Sequence, residues 1–240
     1  MESVRAAAEA GASRIELCAA LSEGGLTPSA GLIRAAVELA GRCGVPVNVL
    51  IRPRPGDFCY TPEEVDMMLA DIEQARALGA NGIVTGALRP GGEPDAVALD
   101  RISRASEGMD RTFHRAFDVC SDPDGRFGEI AGYGFNRVLT SGCAPTALQG
   151  AERLKIFRER ADRHGVSIMA GGGVSPANAA EIARRTGVEE LHGSFRKPLA
   201  SLMQFRVDDV KMGDPQRDEY TRLVADRDAI EETIRILAGL

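Results

Sequence analysis

The sequence lacks the features that would place the protein at a membrane or on nucleic acid. No apolar run in its 240 residues approaches the roughly 20 residues that span a bilayer. The first residues, "MESVRAAAEAG", lack the charged-then-apolar order of a secretory signal. The formal net charge is −6, and no basic block interrupts the mixed charge pattern. These absences predict a cytoplasmic protein that binds neither membranes nor nucleic acid.

The sequence also lacks the paired cysteine motif of structural zinc sites. None of its five cysteines has CxxC spacing, which argues against such a site. An odd number of scattered cysteines is typical of free thiols rather than of a disulfide framework. No GxGxxG motif follows a predicted strand, so nothing indicates a dinucleotide cofactor.

The sequence does contain a repeated pattern of short apolar runs and helical stretches. Seven runs begin at residues 14, 47, 82, 111, 137, 167 and 190. Their spacing of about 29 residues is the length of a βα unit. Periodicity and helix-end signals predict helices over 62–80, 147–165 and 175–187, and a last helix over 226–240. Because no hairpin signal separates the runs, the pattern predicts a parallel sheet.

This pattern suits one domain over residues 1–240. The composition, 44% hydrophobic and 27% charged, is that of a globular protein. The chain opens in a helix and offers seven strands, which is one fewer than an eight-stranded barrel needs. We therefore predict an α/β fold, a TIM (β/α)8-type barrel that lacks its first strand. An open doubly wound sheet is the alternative, but long polar loops after the strands favour the barrel.

Side-chain alternation places reactive side chains at one end of this predicted barrel. In "RIELC", Glu16 and Cys18 point towards the axis, as do Arg52, His114 and His192 at the ends of other runs. Barrel active sites lie at the carboxyl ends of the strands, called the barrel mouth below. Any one of these residues alone could be a hydrogen-bonded filler of the barrel. Their convergence favours a functional site, because buried charge is costly unless it is paired or used.

Two further groups extend the candidate site. Asp118 follows His114 by four residues and could orient Arg115 or His114, so it joins the candidate catalytic residues. Glycines in "AGGGVSP" and "HGSF" would let backbone N–H groups approach an anion, and the last two loops of a barrel form its usual phosphate site. The candidate anion-binding residues are Gly171, Gly172, Gly173, Gly193 and Ser194.

Seven motifs together resemble the CutC family, whose members are described as copper homeostasis proteins. They are "RIELCAALSEGGLTPS", "IRPRPGDF", "TFHRAFD", "RVLTSGCAPTALQG", "IMAGGGV", "ELHGS" and "FRVDDVKMG". The resemblance extends from residue 2 to about residue 220. It implies a TIM barrel, a cytoplasmic homodimer and a link to copper tolerance.

The resemblance also implies a copper(I) site. Copper binding in the family has been attributed to two thiols near the barrel mouth, and Cys18 stands at the position of one of them. Copper(I) favours such soft ligands. The other thiol lies in a first-strand segment similar to "EVCVDS", which would precede Met1. We therefore expect that Met1 represents an internal codon and that the natural chain begins upstream.

Two functions stay open from the sequence. One is copper handling, with Cys18 as a soft ligand for copper(I). The other is an enzyme that acts on a small anionic or phosphorylated metabolite, in which Glu16 and His114 exchange protons and Arg52 and His192 place negative charge. A purely structural or interaction role is a third reading, but it leaves the polar mouth unexplained.

Overall fold

The sheet of the protein contains seven parallel strands in chain order. The computed structural model describes residues 1–207, 209–210, 212 and 218–240. The sheet order is β1-β2-β3-β4-β5-β6-β7. The strands are β1 (Ile15–Leu17), β2 (Val47–Leu50), β3 (Gly82–Thr85), β4 (Asp110–Phe113), β5 (Arg137–Thr140), β6 (Ser167–Gly171) and β7 (Glu190–His192). This topology confirms the seven strands and the parallel pairing that the sequence predicts.

Helices follow the strands, as the alternating pattern indicates. They are α1 (Glu2–Glu9), α2 (Ala30–Gly41), α3 (Pro62–Ala77), α4 (Ala96–Ala105), α5 (Phe127–Gly132), α6 (Ala151–Asp162), α7 (Ala179–Thr186) and α8 (Arg227–Ala238). The predicted helices 147–165 and 175–187 are each too long, because the first residues after β5 and β6 form loops at the mouth. In the described part of the chain, no helix is long and apolar enough to cross a membrane.

The core lies between the sheet and these helices. Ile15 and Leu17 are buried, as are Val4 and Ala8 of α1, and all belong to one apolar cluster. Strands β2, β3 and β5 are buried along their whole length, which is typical of parallel strands covered on both faces. Local signals also fix helix ends, since Thr61 and Glu64 form a reciprocal capping box at the start of α3.

Strands β1 and β7 are the two edges of the sheet, and their junction is called the seam below. No backbone ladder joins them within the described residues, but side chains do. Arg14 pairs with Glu190, and Glu190 also accepts from Arg137 at 2.7 Å. Arg137 pairs in turn with Asp110 at 2.8 Å. A network of charges therefore links the seam to the barrel interior, at the end of the strands opposite the mouth.

A hairpin outside the main sheet is the main departure from the predicted fold. Strands β8 (Arg196–Ala200) and β9 (Thr221–Ala225) pair antiparallel between β7 and α8. Residues 196–225 are called the arm below. The sequence pattern did not predict this hairpin, because the long connection between its two strands gives no tight-turn signal. Within the motif "FRVDDVKMG", Asp208, Lys211 and Gly213 lie outside the described residues.

The seam network predicts a measurable loss of stability. We expect Glu190→Ala to lower the free energy of unfolding by about 2 kcal/mol, because Arg14 and Arg137 lose their shared carboxylate. Urea denaturation measures the change. The matched control is Glu181→Ala, which breaks an exposed pair with Arg185 and should cost less than about 0.5 kcal/mol. Equal effects of the two substitutions would contradict the proposed importance of the seam.

Candidate functional site

Arg52 holds the loops on one side of the mouth. It directly follows β2, and only 6% of its surface is exposed. Its guanidinium donates to three loop carbonyls, those of Glu23 at 2.8 Å, Gly25 at 3.0 Å and Gly56 at 2.7 Å. Its Cζ atom lies 5.1 Å from the centre of the Phe58 ring, a cation–π contact. The Nε atom is buried without a hydrogen-bond partner, so one donor of Arg52 is left for a ligand.

His114 is the next polar residue around the mouth. Its imidazole ring packs in a tilted arrangement against the Phe58 ring, with 4.7 Å between the two ring centroids. Burial, assisted by the positive charge of Arg52, lowers the pKa of His114 to about 3, so the imidazole is neutral near pH 7. Its Nδ1 accepts from the Ala116 N–H at 3.3 Å, which places the single proton on Nε2. That Nε2 donor is buried and unpartnered.

Glu16 and His192 meet across the seam at the mouth. His192 Nε2 lies 3.1 Å from Glu16 Oε2. Burial alone would lower the pKa of His192, but the charge of Glu16 and its hydrogen bond outweigh burial and raise the pKa. The other carboxylate oxygen, Oε1, is buried without a partner. The pair therefore combines an imidazole whose protonated form is favoured by the carboxylate with a carboxylate oxygen that has a free acceptor position.

Cys18 lies beside Glu16 on the same side of the mouth. Burial raises the pKa of its thiol, and the negative charge of Glu16 raises it further. The thiol packs closely on the loop after β1, since a Cβ at Gly25 would lie 3.4 Å from its sulfur. Among the described residues, no group of three or more His, Cys, Asp or Glu side chains could hold a metal ion.

Asp118 positions neighbouring groups. It lies in the helical turn Arg115–Val119, and its side chain is buried. One carboxylate accepts from the backbone N–H groups of Ser141 and Cys143 and from the Thr140 hydroxyl. Its other carboxylate oxygen, Oδ2, accepts a hydrogen bond from Arg115 Nε at 2.7 Å. Of the two orientations expected from the sequence, Asp118 therefore makes the contact with Arg115.

The glycine-rich loop after β6 borders the Arg115 guanidinium. Gly172 and Gly173 have φ of 104° and 72°, a region that side chains rarely tolerate. A Cβ at Gly172 would lie 3.7 Å from Arg115 Cζ and 3.3 Å from Ser141 Cβ, so the backbone passes close to both. Arg115 donates to the Ser141 hydroxyl at 2.8 Å.

The remaining predicted anion residues lie around this loop. Gly171 ends β6 opposite His192, with which it is in register. Gly193 and Ser194 follow His192 directly, and Ser194 is exposed. The structure therefore brings Gly171, Gly172, Gly193 and the two polar residues Arg115 and His192 to one side of the mouth.

Sequence reasoning missed Tyr60 and Asn48. The Tyr60 hydroxyl is buried beside Arg52, and burial raises its pKa to about 12 although the charge of Arg52 and its hydrogen bond act in the opposite direction. Tyr60 stands in a loop, where no periodicity predicts side-chain direction. Asn48 alternates inward on β2, so the period of a strand could have found it. Its amide donates to Asp110 at 2.7 Å, whereas its Oδ1 has no partner.

Comparisons with known proteins agree on one family. A model described as the CutC family matches residues 1–197. A relative named family protein CutC from Porphyromonas gingivalis is 43% identical over 239 residues, covering 99% of this chain and 95% of the relative. A relative of the same name from Bacteroides fragilis is 44% identical over 240 residues, covering 100% and 94%.

A solved structure extends this likeness to three dimensions. A protein from Streptococcus agalactiae that carries the name copper homeostasis protein CutC is 35% identical, with a TM-score of 0.73. The match covers 75% of this chain and 88% of that one. These matches agree with a TIM-barrel-like arrangement of the sheet. The chain belongs to the CutC family.

Proposed function

We propose that this CutC-family protein is an enzyme that binds a small anionic metabolite at its barrel mouth and transfers a proton on it. One observation carries the proposal. Glu16 Oε1, Arg52 Nε and His114 Nε2 come from three different segments, and each is buried without a partner. A buried polar atom without a partner costs about 1–3 kcal/mol, so three at one end of a barrel indicate a ligand that pairs with them.

Glu16 and His192 are the proton-transfer pair of the proposed enzyme. The unpartnered Oε1 of Glu16 accepts a proton from the substrate, while the imidazolium of His192 stabilises the carboxylate at 3.1 Å. Glu16 then returns this proton to the substrate, so the pair ends in the protonation state in which it began. The raised pKa of His192 suits this role, because it keeps more of the imidazole protonated near neutral pH.

His114 and Arg52 stabilise negative charge on a substrate oxygen. His114 is neutral and presents an N–H donor, and Arg52 adds a positive charge and a second N–H donor. Fixed donors in a buried site stabilise charge that develops in a transition state. A neutral imidazole can serve as such a donor because no proton has to leave it.

The anionic group of the metabolite binds on the opposite side, at the glycine-rich loop. Arg115 supplies the charge, and Gly172 and Gly173 allow close approach of the backbone. Gly171, Gly193 and Ser194 complete the set as predicted from the sequence. A phosphate or carboxylate fits this combination of a guanidinium and backbone N–H groups.

Copper(I) handling is the second candidate function. The position of Cys18 at the mouth and the name of the Streptococcus agalactiae relative favour it. The residues present fit copper(I) only in part. The groups beside the thiol are the carboxylate of Glu16 and the imidazole of His192, which are harder ligands than copper(I) prefers. The raised pKa of Cys18 also means that the metal must displace a proton.

The proton-transfer pair predicts a specific titration. In an NMR titration, His192 should titrate above the ordinary histidine pKa of about 6.5. In Glu16→Gln its pKa should fall below that of the wild type, because burial then acts without the opposing charge. Because folding raises the pKa of His192, the pair stabilises the fold below the ordinary histidine pKa of about 6.5 while Glu16 is ionised, and this contribution is lost as pH rises through the pKa of His192. An unchanged pKa in Glu16→Gln would contradict the pairing.

Ligand binding predicts a thermal shift that depends on the mouth. A library of phosphorylated and carboxylated metabolites should contain one that raises the Tm by about 5 °C at saturating concentration. Glu16→Gln and His114→Gln should abolish this shift. The control is His164→Gln, which changes the one histidine outside the mouth and should preserve the shift. No stabilising compound across the library, or a shift that survives both mouth variants, would count against the enzyme.

Copper handling predicts a different result. If Cys18 binds copper(I), Cys18→Ser should weaken affinity at least about tenfold in a competition assay with a chromophoric chelator under reducing conditions. Cys43→Ser is the matched control, since Cys43 is an exposed thiol after α2. Equal affinities of the wild type and both variants would contradict the proposal that Cys18 binds copper(I) at the mouth.

A further inference from the structure

Arg115 is the charged side chain on the glycine-rich side of the mouth, and the protein already uses much of its hydrogen-bonding capacity. Its Nε donates to Asp118 at 2.7 Å, and its Nη2 donates to the Ser141 hydroxyl at 2.8 Å. No acceptor in the described part of the chain pairs with Nη1, and 43% of the side chain is exposed. The edge formed by Nη1 and the second proton of Nη2 is therefore left for a ligand. Its two N–H groups fit the two oxygens of a carboxylate.

The charges around the mouth match a ligand with a single negative charge. The buried carboxylate of Asp118 offsets Arg115, and Glu16 offsets a protonated His192. Arg52 keeps its positive charge, because its guanidinium donates to backbone carbonyls. A carboxylate balances this one remaining charge, whereas a phosphate monoester carries a charge of about −1.5 to −2 near pH 7.

Two adjacent glycines bring the anion-binding group close to the proton-transfer pair. A Cβ at Gly171 would lie 3.5 Å from His192 Nδ1, and a Cβ at Gly172 would lie 3.7 Å from Arg115 Cζ. The Cα atoms of consecutive residues are only about 3.8 Å apart. The anionic group of the ligand therefore lies a few bonds from the reacting carbon. A carboxylate joined directly to the carbon skeleton meets this requirement better than a phosphate ester, whose bridging oxygen adds length.

Phe195 fills space that a larger anion would need. It follows His192 by three residues, and its φ of 43° lies in the left-handed region, which bulky residues rarely adopt. Its ring folds back over Gly193, since a Cβ there would lie 2.5 Å from Phe195 Cε2 and 2.6 Å from Cζ. The ring also packs against the apolar core, and the Phe195 carbonyl accepts from the Asp226 N–H at 2.6 Å. The surroundings thus maintain a strained conformation, as is common at functional sites.

We propose that the metabolite is a small 2-oxo acid and that the Phe195 ring excludes phosphate esters from the mouth. This inference rests on the enzyme proposed above and names its substrate class. Arg115 binds the carboxylate through its free edge. Glu16 Oε1 takes a proton from C3, the electron pair of that C–H bond forms the C2–C3 double bond, and the C2 oxygen becomes an enolate. His114 Nε2 and Arg52 Nε donate to this oxygen, and the reverse step returns the proton to carbon.

Ligands of similar length test the substrate class. Isothermal titration calorimetry of the full chain compares pyruvate and 2-oxobutanoate with dihydroxyacetone phosphate and glycerol 3-phosphate. We expect a 2-oxo acid to bind the wild type at least about tenfold more tightly than either phosphate ester. Phe195→Gly removes the ring and tolerates the positive φ, so this preference should fall at least about tenfold. The matched control is Phe205→Gly, the same change at an exposed phenylalanine of the arm, which should keep the preference.

Deuterium exchange supplies a second measurement that needs no Phe195 variant. In D2O, the wild type should accelerate exchange of the C3 protons of a 2-oxo acid at least about 100-fold over the protein-free solution, as followed by proton NMR. Glu16→Gln should abolish this acceleration, because the acceptor of the C3 proton is then an amide.

The possible failures separate this inference from the proposed function. A phosphate ester that binds the wild type more tightly than both 2-oxo acids, and loses this binding in Glu16→Gln, overturns the substrate class but leaves the enzyme standing. An unchanged preference in folded Phe195→Gly overturns the role of the ring, and 2-oxo acid binding without faster exchange overturns the C3 proton step. If none of the four compounds binds, the inference fails, whereas the proposed function fails only when the wider metabolite library also contains no stabilising compound.

Discussion

The charges that bridge the seam are the constraint on which the barrel depends. A parallel sheet with two edges leaves backbone donors and acceptors without a ladder. Arg137 lies inside the barrel between Asp110 and Glu190, and Glu190 reaches Arg14 beside the edge strand β1. These contacts fix the distance between β1 and β7 without a backbone ladder. Buried ion pairs contribute little net stability, but breaking one is costly, so the network selects one arrangement of the edges.

The proposed chemistry uses the same seam at its other end. Glu16 lies on β1 and His192 on β7, so their contact of 3.1 Å exists only while the two edges stay together. The loops are held independently, because Arg52 donates to three backbone carbonyls and stacks on Phe58, which in turn contacts His114. Two separate sets of contacts therefore hold the site in place: the ion pairs across the seam and the hydrogen bonds from Arg52 to loop carbonyls.

The sequence predicts the parts of this arrangement that follow from local periodicity. Alternation along short strands placed Glu16, His114 and His192 at the mouth, because a period of two is a property of each strand alone. The proton on His114 Nε2 and the pairing of Glu16 with His192 depend on burial and on strands far apart in sequence. Tyr60 and the arm were missed for a related reason, since neither a loop residue nor a hairpin with a long connection has a local signal.

The pKa shifts at the mouth have a common origin and together favour an anionic ligand. Burial keeps the thiol of Cys18 and the imidazole of His114 neutral, because the charged form of either group would lie in surroundings with little water. Glu16 and His192 offset each other as a pair, which leaves the buried guanidinium of Arg52 as the uncompensated charge. In a chain of net charge −6, this local excess of positive charge supports the proposed anionic ligand. A copper(I) ion meets the opposite situation, since it must approach that positive charge and displace a proton from a thiol that burial holds neutral.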